Sequence, residues 1–558
     1  MLLLLAIACR GPIPDPDPDP TPTPAEPPAV AIETVGGWTG TAPMLGETGD
    51  TGTAPPPFTM TDVTVAAGVD YVQWVQDPLA QRECNWSLLL GGGAAAADYD
   101  GDGDVDLFAS RFESPSLLFR NRGDGTFDEV GAASGLVTTG WANGALWFDA
   151  DSDADLDLLV TRLREGEGNL LFMNDGAGGF TEEGAARGVA LPPPPDECAR
   201  LFSASAGDFD RDGDLDLHLA QWNNLDPDQD VSRTLLLRNE GGTFVDVTAT
   251  AGVYSERIAA FTSGFTDFDA DGWVDLWIVA DFGQSKLYLN NTDGTFRNAT
   301  AEWGLVYDTN GMGGATGDWD GDGATDLFVT AILPGNLADC GRPDWGCSGN
   351  VLYANAGYHF VNDLGTNLVD GGWGWGAVFS DVDRDGDLDL FHAAGEIEGV
   401  GWPYGPELPR LFLNEAGTAS DVAAAVGLAV KGLGRAALAF DADGDGDPDL
   451  FQTSNADHPT LWRNDAPLAD SLRVRPRGPV NRYGIGARVE LERVAGGPVL
   501  VREVHANSGY LGNSPAEADF GLGTGGGTIH EVRVTWPGGA TVVLADVAPN
   551  GVLIVEEP

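Results

Sequence analysis

Asp98-Tyr99-Asp100-Gly101-Asp102-Gly103-Asp104-Val105-Asp106 sets a carboxylate at every second position of nine residues, with glycine interleaved. The pattern returns at Asp149, Asp208, Asp267, Asp318, Asp381 and Asp441, at intervals of 51, 59, 59, 51, 63 and 60 residues. Self-similarity at a near-constant period marks a repeated supersecondary unit. Converging carboxylates within so short a stretch mark a site for a hard cation.

Positions 1, 3, 5 and 9 are Asp in every copy. They are Asp98, Asp100, Asp102 and Asp106, then Asp149, Asp151, Asp153 and Asp157, then Asp208, Asp210, Asp212 and Asp216. The fourth and fifth copies carry Asp267, Asp269, Asp271 and Asp275, and Asp318, Asp320, Asp322 and Asp326. The last two carry Asp381, Asp383, Asp385 and Asp389, and Asp441, Asp443, Asp445 and Asp449. Position 7 reads Asp104, Asp155, Asp214, Trp273, Ala324, Asp387 and Asp447. A position that accepts Trp and Ala contributes its backbone carbonyl rather than its side chain. Four carboxylates, a carbonyl and water meet the six to eight oxygens that calcium takes, whereas magnesium prefers a rigid octahedron with retained waters. The expectation is about seven calcium ions. Position 6 is Gly in six copies, as a turn with positive φ requires. Ala154 replaces it in the second copy, so Asp149–Asp157 is expected to be the weakest site.

An EF-hand needs a bidentate Glu at loop position 12. Here that position reads Ala109, Val160, Leu219, Ile278, Val329, His392 and Gln452. Each loop runs instead into a β-rich apolar segment such as Val274-Asp-Leu-Trp-Ile-Val279, so the loops join strands.

Most repeats share one grammar. A run of small residues, such as Gly91-Gly-Gly-Ala-Ala-Ala-Ala97 or Ser203-Ala-Ser-Ala-Gly207, precedes the Asp loop. After the loop come an apolar strand, a second one ending in Asn (Leu117-Leu-Phe-Arg-Asn121, Leu287-Tyr-Leu-Asn290), and a fourth such as Phe244–Val253. Four strands per unit, repeated seven times, predict a seven-bladed β-propeller, an all-β fold with few exposed edges. Its innermost strands line a narrow channel, which demands small side chains. The seventh repeat stops at Asp465 without its fourth strand, and Phe58–Val69 has the missing character. That segment is expected to complete the last blade and close the ring.

These loops resemble the FG-GAP (VCBS) repeats of integrin α-subunit propellers. Past Asp470, Asn481-Arg-Tyr-Gly-Ile-Gly-Ala-Arg-Val489, Phe520-Gly-Leu-Gly523 and Trp536-Pro-Gly-Gly539 lie among alternating strands. They are similar to the ASPIC/UnbV module that follows such propellers in the cartilage acidic protein family. The resemblance implies calcium binding and an extracellular setting, and brings no agreed reaction.

The expected organisation is a lipobox-like signal segment at 1–9, a Pro/Gly/Thr-rich linker at 10–57, the propeller at 58–465 and a small, sandwich-like β domain at 470–558. Met1-Leu-Leu-Leu-Leu-Ala-Ile-Ala-Cys9 is too short to span a bilayer and resembles the end of a lipoprotein signal. It makes Cys9 a candidate lipid anchor and export the expected fate. Alternating prolines at 15–24 favour an extended polyproline II stalk. Export permits disulfides. Cys340 and Cys347 are expected to close a local loop, leaving Cys84 and Cys198 for each other by parity.

The net charge of −57 argues against nucleic acid and against electrostatic docking to anionic lipid. Seven Ca²⁺ would leave about −43. Six scattered histidines show no metal-ligand spacing, and no nucleophile elbow or phosphate loop occurs. Lengthened loops at Gln73–Cys84, Pro192–Cys198, Gln221–Gln229, Leu333–Cys347 and Gly395–Pro409 carry Trp74, Trp222, Trp345, Trp402 and Tyr404. Variable loops on a rigid ring suit recognition. The leading expectation is a surface-tethered protein that binds an extracellular protein or glycan, for adhesion or assembly. The alternative is an exported enzyme acting on polysaccharide at the propeller mouth.

Overall fold

A computed structural model describes residues 56, 58–73, 90–163, 166–191, 200–222, 234–253, 258–333, 348–363, 366–396, 405–467 and 469–558. Seven four-stranded antiparallel sheets follow one another, each ordered from inner to outer strand. Blades 1 to 6 span 94–129, 142–182, 200–246, 260–298, 314–362 and 374–421. Blade 7 takes three strands from 434–464, and Met60–Asp62 supplies its outermost one, with Met60 opposite Asn464 and Asp62 opposite Trp462. The ring therefore closes through the segment expected from the sequence.

The fourth strands are shorter than the sequence suggested. Phe244–Val253 forms a strand only over Phe244–Asp246. Asp246 Oδ1 then accepts the Thr248 N–H at 3.0 Å and the Thr248 hydroxyl at 2.6 Å, turning the chain. The turn ends at Gly252 with φ +82, where a side chain would crowd the Phe296 carbonyl of the next blade.

Past the ring, a three-stranded sheet is ordered Ala518–Gly521, Ser471–Arg477, Val552–Glu556, the last two parallel. A four-stranded sheet is ordered Val499–Glu503, Arg488–Glu492, Ile529–Thr535, Thr541–Val547. Alternation along Ser471–Arg477 buries Leu472 and Val474 and turns Arg473 and Arg475 away from that core. The module's core, including Val489, Leu491, Val532 and Phe520, is continuous with Leu146, Leu159 and Leu217 of blades 2 and 3.

The module also enters the propeller. Between Glu503 and Ala518 the chain enters the channel and meets the inner strand of every blade. Ala506 bridges Ala206 of blade 3, and Asn507 brackets Phe265 of blade 4, accepting its N–H at 2.7 Å and donating to its carbonyl at 3.0 Å. The Gly314 N–H of blade 5 donates to the Gly509 carbonyl, and Gly509 abuts Ala377 of blade 6. Ala145 and Ala96 of blades 2 and 1 donate to the Leu511 and Asn513 carbonyls, and Ala439 of blade 7 donates to the Ser514 hydroxyl. At the far end Tyr510 is buried among Phe202, Phe261 and Trp375. The small inner residues thus make room for a second backbone as well as for one another. A Cβ on Gly93 would strike the Leu511 carbonyl.

Candidate metal centres

Each Asp loop begins where an inner strand ends, and its carboxylates shape the turn before any ion is considered. In blade 1, Asp98 Oδ2 accepts the Gly103 N–H at 3.1 Å and Asp102 Oδ1 accepts the Asp104 N–H at 3.0 Å. The bond from position 6 to position 1 and the bond from position 7 to position 5 recur in all seven loops. Residues 4 and 6 take positive φ, as in Gly101 (+73) and Gly103 (+101). Ala154 is forced to φ +80, where an L-residue is strained. Ala154→Gly is expected to stabilise the protein by about 1 kcal/mol, read as a shifted denaturant midpoint with unchanged slope.

With one oxygen spent on the turn, the other is left over. Asp98, Asp100, Asp151, Asp208, Asp318, Asp381 and Asp447 each keep a buried Oδ1 without a hydrogen-bond partner. Asp208, Asp318 and Asp381 are 9%, 6% and 1% exposed. Asp98, Asp100 and Asp106 each bring a carboxylate oxygen within 4.8 Å of the others, and so do Asp149, Asp151 and Asp157, Asp208, Asp210 and Asp216, and Asp318, Asp320 and Asp326. In blade 4 the trio is Asp267, Asp269 and Asp271. Burial, reinforced by neighbouring carboxylates, lifts Asp149 and Asp208 to about 7. Burial likewise lifts Asp267, Asp318 and Asp441 to about 6. Orphaned, crowded oxygens of one sign fit a cation: it would supply the charge that burial has removed.

Position 7 divides. Asp214 turns outward to accept the Ser152 hydroxyl at 3.0 Å and the Gly241 N–H at 2.9 Å, and Asp387 accepts from Ala416 at 3.3 Å. Trp273 lies under the Arg211 guanidinium at 4.2 Å. Asp447 is the exception, buried beside Asp445 and pushed up to about 9.

Position 9 has a second task that the sequence reading missed. Asp106 accepts the Tyr99 N–H at 3.2 Å and the Asn121 N–H at 2.8 Å. Asn121 then donates to the Val105 carbonyl at 3.0 Å and to the Ala442 carbonyl of blade 7 at 2.8 Å. The clasp repeats around the ring: Asn174 reaches Tyr99, Asn239 reaches Ala150, Asn290 reaches Phe209, Asn355 reaches Phe268, Asn414 reaches Trp319, and Asn464 reaches Val382. Each Asn ties its blade to the loop of the blade before it. The terminal Asn of every third strand was the available signal. Asn464→Ala would orphan carbonyls of two blades, and a loss of about 2 kcal/mol in denaturant unfolding is expected.

The module sits on these loops. Tyr483 donates to the Ala154 carbonyl at 3.0 Å, Arg488 to Gly323 at 2.7 Å and Arg502 to Gly386 at 3.0 Å, all at position 6. The Gly521 N–H donates to Asp381 at 2.8 Å, and Arg473 lies 3.3 Å from Asp441.

Family models match these two parts of the chain. The FG-GAP-like repeat matches 98–160 and 267–329, and ASPIC and UnbV matches 478–558. The chain joins FG-GAP-like repeats to an ASPIC and UnbV domain. It is 25% identical to human cartilage acidic protein 1 over 489 residues, covering 81% of this chain and 60% of that protein. The mouse protein of the same name is 25% identical over 492 residues, covering 81% and 62%. The chain thus spans about three-fifths of the curated relatives it matches. A crystal structure of BBS1N in complex with ARL6DN aligns at 12% identity and TM-score 0.38, over 66% of this chain and 91% of that one. The strand Ser471–Arg477 precedes the ASPIC and UnbV match yet is integral to the domain's three-stranded sheet.

Of the recognition loops, Trp222 is buried against Phe261 and Phe202 rather than displayed. Trp74, Trp345, Trp402, Tyr404, Cys9, the 10–55 linker segment and the cysteines 84, 198, 340 and 347 lie outside the described residues. No helix among the described residues is long and apolar enough to cross a membrane.

Proposed function

We propose that this chain is an exported calcium-binding β-propeller that displays a ligand-binding surface for adhesion or assembly, with calcium stabilising its blades. The observation that carries the calcium reading is the set of buried, unpartnered Asp oxygens, found at position 1 of four loops (Asp98, Asp208, Asp318, Asp381) and at position 3 of two (Asp100, Asp151). The ions act as staples rather than signals, because extracellular modules bind calcium near its ambient level and stay loaded. A channel occupied by the inserted segment favours recognition on the rim and the outer faces. It counts against the polysaccharide-acting alternative, which needs a site at the mouth. The similarity to cartilage acidic protein 1 supports an extracellular setting, and a lipid on Cys9 would tether the body to a surface.

Calorimetric titration of the chelated protein with calcium tests the metal reading. Several ions per chain are expected, and Asp210→Asn should remove one of them. Heat no greater than dilution would sink the proposal. Saturable binding to an extracellular protein or glycan, without turnover, is the expected outcome of a pull-down and glycan array.

A further inference from the structure

The ASPIC and UnbV domain does not meet the seven loops evenly. Arg473 projects onto the blade 7 loop, 3.3 Å from Asp441. Arg475, held by Glu517 at 2.6 Å, acts electrostatically on Asp98 of blade 1. Arg502 is half-buried, donates to Gly386 in blade 6, and acts on both Asp381 of blade 6 and Asp318 of blade 5. Arg488 caps the blade 5 turn at Gly323. Among the described residues, no hydrogen bond or ion pair joins an arginine of the domain to the loops of blades 2, 3 and 4. Blade 2 meets the Tyr483 hydroxyl, blade 3 meets Val480 at Gly213, and blade 4 meets Pro537 and the buried carboxyl of Glu503, which accepts from the Asp267 backbone. The propeller's own Arg187, 2.9 Å from Asp151, is the cation at blade 2.

We propose that the arginines of the C-terminal domain are built-in counter-cations for the loops of blades 5, 6 and 7, competing there with calcium and tuning those corners to weaker binding. The inference rests on the calcium reading above. A fixed positive charge within a few ångströms of a ligand carboxylate opposes a divalent ion and partly replaces it. The same charge holds the corner together when the ion leaves. The alternation of Ser471-Leu-Arg-Val-Arg-Pro-Arg477 directs this: the residues that build the domain's core force their neighbours onto the loops.

Blade 7 offers the cleanest test, because Arg473 faces one loop and is partly exposed. In calcium titration of the full chain at low salt, Arg473→Gln should tighten one ion by about tenfold. Arg473→Lys, which keeps the charge, should stay near the parent value. In an Asp443→Asn background, where the blade 7 loop lacks a ligand, Arg473→Gln should change nothing. Unaltered or weaker binding in Arg473→Gln overturns the proposal, as does a gain that persists with Asp443→Asn. A chain that binds no calcium overturns the metal reading itself. Hydrogen exchange of the Arg473→Gln protein reports whether the domain remains seated: protection at Gly521 and Leu522 should match the parent.

Discussion

Chelating the proposed calcium ions is expected to lower the thermal midpoint by roughly 10–20 °C. At 10 mM free ion, sites with Kd of about 10⁻⁴–10⁻³ M each add about 1.4–2.7 kcal/mol to the folded state. Seven such sites add on the order of 10–19 kcal/mol. Unfolding some 500 residues carries an entropy of about 1 kcal/mol/K, which converts that linkage into the stated shift. The loops would amplify the loss because position 9 is both a candidate ligand and the anchor of the Asn clasp to the adjoining blade. Differential scanning calorimetry with EDTA and with calcium checks it, and coincident melts would rule it out.

The same measurement should change sign with pH. Burial places Asp106, Asp157 and Asp326 at about 8, and Asp149, Asp208 and Asp381 at about 7, in the chelated fold. Unfolded aspartates titrate near ~3.9, so the native state holds protons that the unfolded chain releases. Stability from these groups is therefore lost as pH rises through 7 to 8, and the chelated protein should melt higher at pH 6.5 than at pH 8. Calcium replaces those protons and removes that slope. What then remains is the set of buried neutral imidazoles, with burial holding His218 and His392 at about 3 and His505 at about 4. Their depressed values give stability that is present above about 6.5 and lost as pH falls. The loaded protein should become acid-labile over the interval in which the chelated one is still gaining. Parallel curves would falsify this account.

Gly512→Val should cost about 3 kcal/mol or more and unseat the inserted segment. A Cβ at 512 would overlap the Ala94 carbonyl oxygen, and one at 509 would overlap that of Ala377. Both obstacles are backbone of inner strands, so no rotamer change relieves them. Overpacking a close-packed core costs 1–3 kcal/mol and more where the backbone must move. Gly551→Ala, which meets nothing within 4 Å, serves as the control and should be neutral. Proteolysis of the calcium-loaded variants separates the outcomes. Cleavage between 503 and 518 is expected for Gly512→Val, and resistance equal to the parent would overturn the assignment.

The ring was legible because its determinants are local and periodic. The Asp spacing, the small inner residues and the terminal Asn of each third strand repeat, and the shortfall at Asp465 matched the surplus at Phe58. The inserted segment was not legible. His505-Ala-Asn-Ser-Gly-Tyr-Leu-Gly-Asn-Ser514 reads as a polar loop, and its small residues acquire meaning only beside the small residues of seven distant strands. The double use of position 9 was hidden for a related reason: a carboxylate has lone pairs for two N–H donors as well as a metal, and spacing displays only the latter. The short fourth strands of blades 3 and 7 follow from Asp-x-Thr hydrogen bonding that overrode a β-prone composition.

The chain order of the inserted segment sets the timetable of assembly. Every blade is synthesised before the axle around which all seven must tighten, and the rim cannot be fastened until residue 464 can meet residue 60. A product that ended before residue 503 would leave the N–H groups of Ala96, Ala145 and Gly314 without the carbonyls that receive them in the finished bore.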